Sequence, residues 1–205
     1  MGRGWSRSIR SRITVCGASA LALTGCGGGD PPRDPSIVPT PIGPAPRWQP
    51  GPLSGAVRAA RPVAGMRCEN GDAHDRFGAH VEVFARKRVL IVAAGIGIAP
   101  PHRRDGSYVR GGRCSYPLRT QEPTGVVEIA ADGREYRLGD LFRLWGQPLT
   151  PGRIASFKGP VTAYVAGVRW HGDPRDIPLR RHAQIVVEVG GHVPPHRTYR
   201  FPPGL

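Results

Sequence analysis

The sequence predicts an α+β domain in which β dominates, built from antiparallel hairpins and one short amphipathic helix. Two observations carry that prediction. From about Met66 onward, short runs rich in Val, Ile, Tyr and Phe alternate with Gly, Pro and Asp turn signals. Only one segment has helical periodicity: Leu138, Leu141, Phe142 and Trp145 recur at i, i+3, i+4 and i+7 as a single apolar stripe.

The elements follow in order. Residues 80–84 and 89–93 read as a hairpin turning at Arg86-Lys87-Arg88. Residues 126–130 and 134–138 flank Asp132-Gly133, a two-residue hairpin signal. The helical stripe comes next; Gly146 is placed to end it, and Pro148 and Pro151 prevent its continuation. Residues 161–165, 168–170 and 185–189 complete the strands, and in the last Ile185, Val187 and Val189 share a face from which Glu188 points away. The C-terminal half, from Val126 onward, thus runs ββαββ, a β-grasp-like order by analogy of topology.

The N-terminal part has a different character. Arg3, Arg7, Arg10 and Arg12 precede the 11 mostly apolar residues 13–23. At ~1.5 Å per residue these reach roughly 16 Å, too short to span a bilayer but right for the core of an export signal. Leu23-Thr24-Gly25-Cys26 closes the signal and resembles the bacterial lipobox, whose Cys carries palmitate-type acyl chains and becomes the mature N-terminus. Residues 27–52 hold nine prolines and few large apolar side chains, the composition of an extended tether. The expected organisation is a lipoprotein signal peptide at 1–25, a Pro/Gly-rich tether at 26–65 and one β-rich domain at 66–205.

Charge and motifs narrow the function classes. The net charge is +14, falling to +10 when the four signal arginines are removed. Arg103, Arg134, Arg153, Arg180 and Arg200 are scattered, not gathered on an aromatic-rich face, and export argues against nucleic acid as a partner. Attraction to anionic lipid or wall polymer follows from charge sign alone. There is no Gly-x-Ser-x-Gly, and Gly95-Ile96-Gly97 lacks the third glycine and the helix of a nucleotide loop. No hydrolase signature is present. Beyond Cys16 and Cys26, only Cys68 and Cys114 remain; in an exported domain they are expected to pair, closing a loop of about 46 residues worth roughly 3–4 kcal/mol.

Histidines supply the remaining chemistry. His74 and His80 flank the first strand, and imidazoles suit Zn or Cu. His192-Val-Pro-Pro-His196 is a second pair of imidazoles able to bind metal, but it reads rather as a solvated tail, because prolines between the two rings impose no ligand geometry.

Several segments together resemble a family of uncharacterised exported bacterial proteins: residues 79–84, Ala94-Gly95-Ile96-Gly97-Ile98, residues 114–122 and 124–129, Leu138-Gly-Asp-Leu-Phe142 with Trp145-Gly146-Gln147, and residues 172–179. That family carries alternating histidines on strands (His-x-His-Ala-His, His-Thr-His-Asp and Ile-His-Ile-Glu runs), which the resemblance implies to be a metal site. Here His80, Gln121, Glu122 and Glu128 stand at the equivalent positions, and Arg119 sits where a cation would be repelled. The expected function is a lipid-anchored binding or structural module on the extracytoplasmic face of the cell membrane. The alternatives are a Zn- or Cu-binding lipoprotein using those four residues, and an envelope enzyme without a recognisable site. Arg119 and Glu128 could instead form a cross-strand ion pair.

Overall fold

A computed structural model describes residues 51–71 and 75–205. The export signal, the lipobox with Cys26, residues 27–50 of the tether and His74 lie outside the described residues. Among the described residues there are two α-helices, α1 (Gly55–Arg58) and α2 (Leu138–Trp145), and a 3-10 turn at Pro174–Asp176. The strands are β1 (Arg76–Ala85), β2 (Arg88–Leu90), β3 (Arg103–Asp105), β4 (Tyr108–Gly111), β5 (Leu118–Arg119), β6 (Val126–Ala130), β7 (Leu149–Thr150), β8 (Arg153–Ile154), β9 (Phe157–Lys158), β10 (Val161–Val165), β11 (Val168–Trp170) and β12 (Gln184–Val189). The architecture is α+β with β dominant, as expected.

The main sheet runs β11-β10-β12-β1-β6-β5, and β2 adds to the end of β1. Only β1 and β12 are parallel; every other neighbour in this sheet is antiparallel. The β1–β2 hairpin forms where predicted, with Arg86 and Lys87 both at positive φ in a two-residue turn. The pairing of β10 with β11 is a second such hairpin across Ala166 and Gly167.

The hairpin across Asp132-Gly133 does not form. Both edges of β6 are already occupied, by β1 and by β5. The chain therefore leaves the sheet and meets residues 177–179 through Leu138 N to Ile177 O and Leu179 N to Tyr136 O, each 2.8 Å. This corrects the ββαββ, β-grasp-like order expected from Val126 onward: only β6 precedes α2 there, and β7 to β12 follow it.

The stripe on α2 is core. Leu138, Leu141, Phe142 and Trp145 are at most 1% exposed and share one cluster with Ala79, Val81, Val83, Val127, Ile129, Ile185 and Val187 from one face of the sheet. Burying each large side chain contributes about 1.5–3 kcal/mol. Asp140 accepts from Arg137 N at 3.1 Å at the helix start, and Gly146 ends it in the left-handed region at φ 75.

Residues 51–65 correct the expected tether boundary. Val57 and Val63 lie within the core cluster, Tyr116 Oη donates to Arg61 O at 2.5 Å, and Ser54 caps α1 by accepting from Val57 N. The packed domain therefore begins before Met66. The Cys68–Cys114 disulfide is present and closes a separation of 46 residues. Gly95-Ile96-Gly97 has a structural role: a Cβ on Gly97 would lie 1.8 Å from Leu118 O, and its φ is +71.

Candidate functional site

The period of two along β1 puts Ala79, Val81, Val83 and Ala85 into the core and Gly78, His80, Glu82 and Phe84 on the opposite face. Register assigns their neighbours on that face. Gln184 stands beside His80, Glu188 beside Phe84, Glu128 beside Gly78, and Arg119 beside Glu128. Three carboxylates thus lie on one sheet face, with Glu82 at 6%, Glu128 at 8% and Glu188 at 4% exposure. Buried carboxylates require partners.

Two of the three receive theirs from residues 191–205, a strap that crosses this face. His192 Nδ1 lies 2.9 Å from Glu188 Oε1, Val193 N donates to Glu188 Oε2 at 2.8 Å, and Tyr164 Oη reaches the same carboxylate at 3.3 Å. His196 Nδ1 lies 2.8 and 2.9 Å from the two oxygens of Glu82. Further along, Tyr199 stacks on His80 with ring centroids 3.8 Å apart and planes 4° from parallel. Phe201 occupies the space left by the missing side chain of Gly78, where a Cβ would come within 2.7 Å of its ring. The expectation of a solvated tail at 192–196 is therefore corrected: buried carboxylates beneath the strap fix the geometry that the prolines do not.

The third carboxylate, Glu128, accepts from Arg119 Nε at 2.8 Å. This is the cross-strand ion pair the sequence allowed, but both partners are buried, so removing Arg119 takes the ion-pair partner from a buried carboxylate.

His80 is fully buried. Gln184 Nε2 donates to Glu82 Oε1 at 3.0 Å, which turns the amide oxygen toward His80 Nδ1 at 2.7 Å. Thr124 O lies 2.9 Å from Nε2. Both ring nitrogens thus face acceptors, an arrangement only the imidazolium satisfies in full. Burial opposes that charge more strongly, and the His80 pKa falls below its ordinary value despite the raising effect of Thr124, Gln184 and Glu82.

Beside this network a cleft of about 280 Å³ opens between β4, the β5–β6 turn and the strap. Tyr108, Gln121, Glu122, Glu128, Tyr199 and Pro202 are among its lining. Tyr108 Oη donates to Gln121 Oε1. Burial is the first cause that raises the phenol pKa of both Tyr108 and Tyr199, and the negative field of Glu122 acts on both.

Three of the four sequence-predicted site residues, Gln121, Glu122 and Glu128, therefore meet in one cleft. His80 does not join them: it lies under Tyr199 with both nitrogens engaged. The four do not form a Zn or Cu ligand set, since Arg119 occupies one oxygen of Glu128 and Tyr108 the amide oxygen of Gln121. Among the described residues, no three His, Cys, Asp or Glu side chains are placed to hold a metal ion. Sequence reasoning missed Glu82, Gln184 and Tyr199. The alternation of polar and apolar residues in 79–84 and 184–189 was the available signal, because it marks strands polar on one face and apolar on the other. No family model, no curated protein and no solved structure matches this chain.

Proposed function

We propose that the protein is a lipid-anchored binding module of the cell envelope, held at the extracytoplasmic face of the membrane by acyl chains on Cys26. The cleft beside the strap carries this reading: aromatic, amide and carboxylate side chains line a concave site on a disulfide-closed scaffold. The order of cationic region, apolar run and Leu23-Thr24-Gly25-Cys26 supports the anchor, and the Cys68–Cys114 bond suits an oxidising compartment. The resemblance to exported bacterial proteins points to the same location. The excess of arginine adds non-specific attraction to anionic lipid or wall polymer but selects no ligand.

Two measurements test the proposal. Intact-mass analysis of the membrane fraction should find a chain beginning at acylated Cys26; an unmodified chain retaining residues 1–25 refutes the anchor. Isolated envelope fragments should retain the Cys26→Ser protein and release the same protein carrying Gln121→Trp, which fills the cleft. Equal retention of both refutes the cleft as the binding site.

A further inference from the structure

The cleft's lining also constrains what it can take. Its two carboxylates are unequally compensated: Glu128 is paired with Arg119, whereas Glu122 is exposed and has no ion-pair partner among the described residues. The cleft is thus a locally negative site on a strongly basic chain. Tyr108 on β4 and Tyr199 on the strap line it, with Val126 and Pro202 supplying apolar surface. Arg110, paired with Asp105, lies over the Tyr108 ring at 5.3 Å and His80 stacks on Tyr199, which leaves one face of each ring for a ligand. Electron-rich ring faces beside an uncompensated carboxylate attract organic cations. Two alternatives fit less well. An anion would be repelled by the uncompensated Glu122, and among the described residues a bare metal ion lacks a converging ligand set. A volume of about 280 Å³ lies at the lower end for a small-molecule site, and admits the end of a ligand or a small molecule in full.

We infer that the cleft binds a ligand presenting an ammonium group on a short apolar stem, with Glu122 facing the charge and Tyr108 and Tyr199 flanking the stem. This deepens the reading of the cleft as a binding site and rests on it. Glu122 is an exposed side chain with no hydrogen-bond partner among the described residues, so its replacement leaves the fold intact.

The test uses the full chain carrying Cys26→Ser, with butylammonium as probe and 1-butanol as its uncharged isostere. Ring resonances of Tyr108 and Tyr199 should shift saturably with butylammonium, at least ten-fold more tightly than with 1-butanol. Glu122→Gln should remove most of that difference while leaving the thermal midpoint unchanged. Equal affinity for the two probes overturns the ammonium inference, even where the cleft binds both. A response to a neutral saccharide alone also overturns it and leaves the binding-module reading standing. Silence of both tyrosines toward butylammonium, joined to equal envelope retention of the Gln121→Trp protein, overturns the inference and the cleft reading together.

Discussion

The docking of the strap onto Glu82 yields a quantitative prediction. Replacing Glu82 by Ala removes the acceptor for Gln184 Nε2 at 3.0 Å and for His196 Nδ1 at 2.8 Å. Gln184 is 1% exposed, so its amide loses a partner that water cannot replace, at about 1–3 kcal/mol. The His196 side chain is 35% exposed, so solvent rescues most of its lost contact, which contributes under about 1 kcal/mol. The combined loss is about 1–4 kcal/mol, or roughly 2–16 °C in thermal midpoint for a domain of this size. Calorimetric melts of the Cys26→Ser protein with and without Glu82→Ala measure it. A double-mutant cycle with His196→Ala should return a coupling of roughly 0.5–1 kcal/mol. Glu82→Gln, which retains one acceptor oxygen for Gln184, should lie between wild type and Ala. A Glu82→Ala melt within about 0.5 kcal/mol of wild type, or a coupling of zero, would refute the argument that this buried carboxylate anchors the strap.

Three further outcomes follow from the same geometry. Gly78→Val drives a side chain into Phe201 and should cost about 1–3 kcal/mol; limited trypsin digestion at the exposed Arg197 and Arg200 should accelerate, and unchanged cleavage would show that Phe201 does not rest there. The lowered pKa of buried His80 means that the unfolded chain binds the proton more readily than the folded one. Its contribution to stability is therefore fully present above the unfolded value of 6.5 and is lost as pH falls toward the depressed folded value; denaturant melts across that range should show a slope that His80→Gln flattens. Removing the disulfide by Cys68→Ser with Cys114→Ser should lower stability by roughly 3–4 kcal/mol, and a reductant should reproduce the loss in the wild-type chain.

Much of the scaffold was legible because local periodicity and core packing agree. The stripe of Leu138, Leu141, Phe142 and Trp145 allowed one helical face, and the alternation in 185–189 allowed one strand orientation. The turn at Asp132-Gly133 was misread for a non-local reason. Its residues favour a hairpin, but a hairpin also needs a vacant edge on β6; β5, just upstream, fills one edge and the distant β1 fills the other. The site was half legible in the same sense. Gln121, Glu122 and Glu128 lie within eight positions on one turn and strand, so their proximity is local. Glu82 with His196 and His80 with Tyr199 are separated by more than a hundred residues, and no spacing rule reaches that far.

By itself, the order of residues settled that this chain forms a β-dominated domain with one helix, which faces of its strands are apolar, and which two cysteines were available to pair. Tertiary structure alone decided that β1 lies parallel to β12 at the sheet centre, and that His192 and His196 lie on carboxylates they could not be matched to in advance. The physical reason is that a buried charge must find a partner wherever the fold brings one, and that partner is chosen by chain crossing, not by sequence distance.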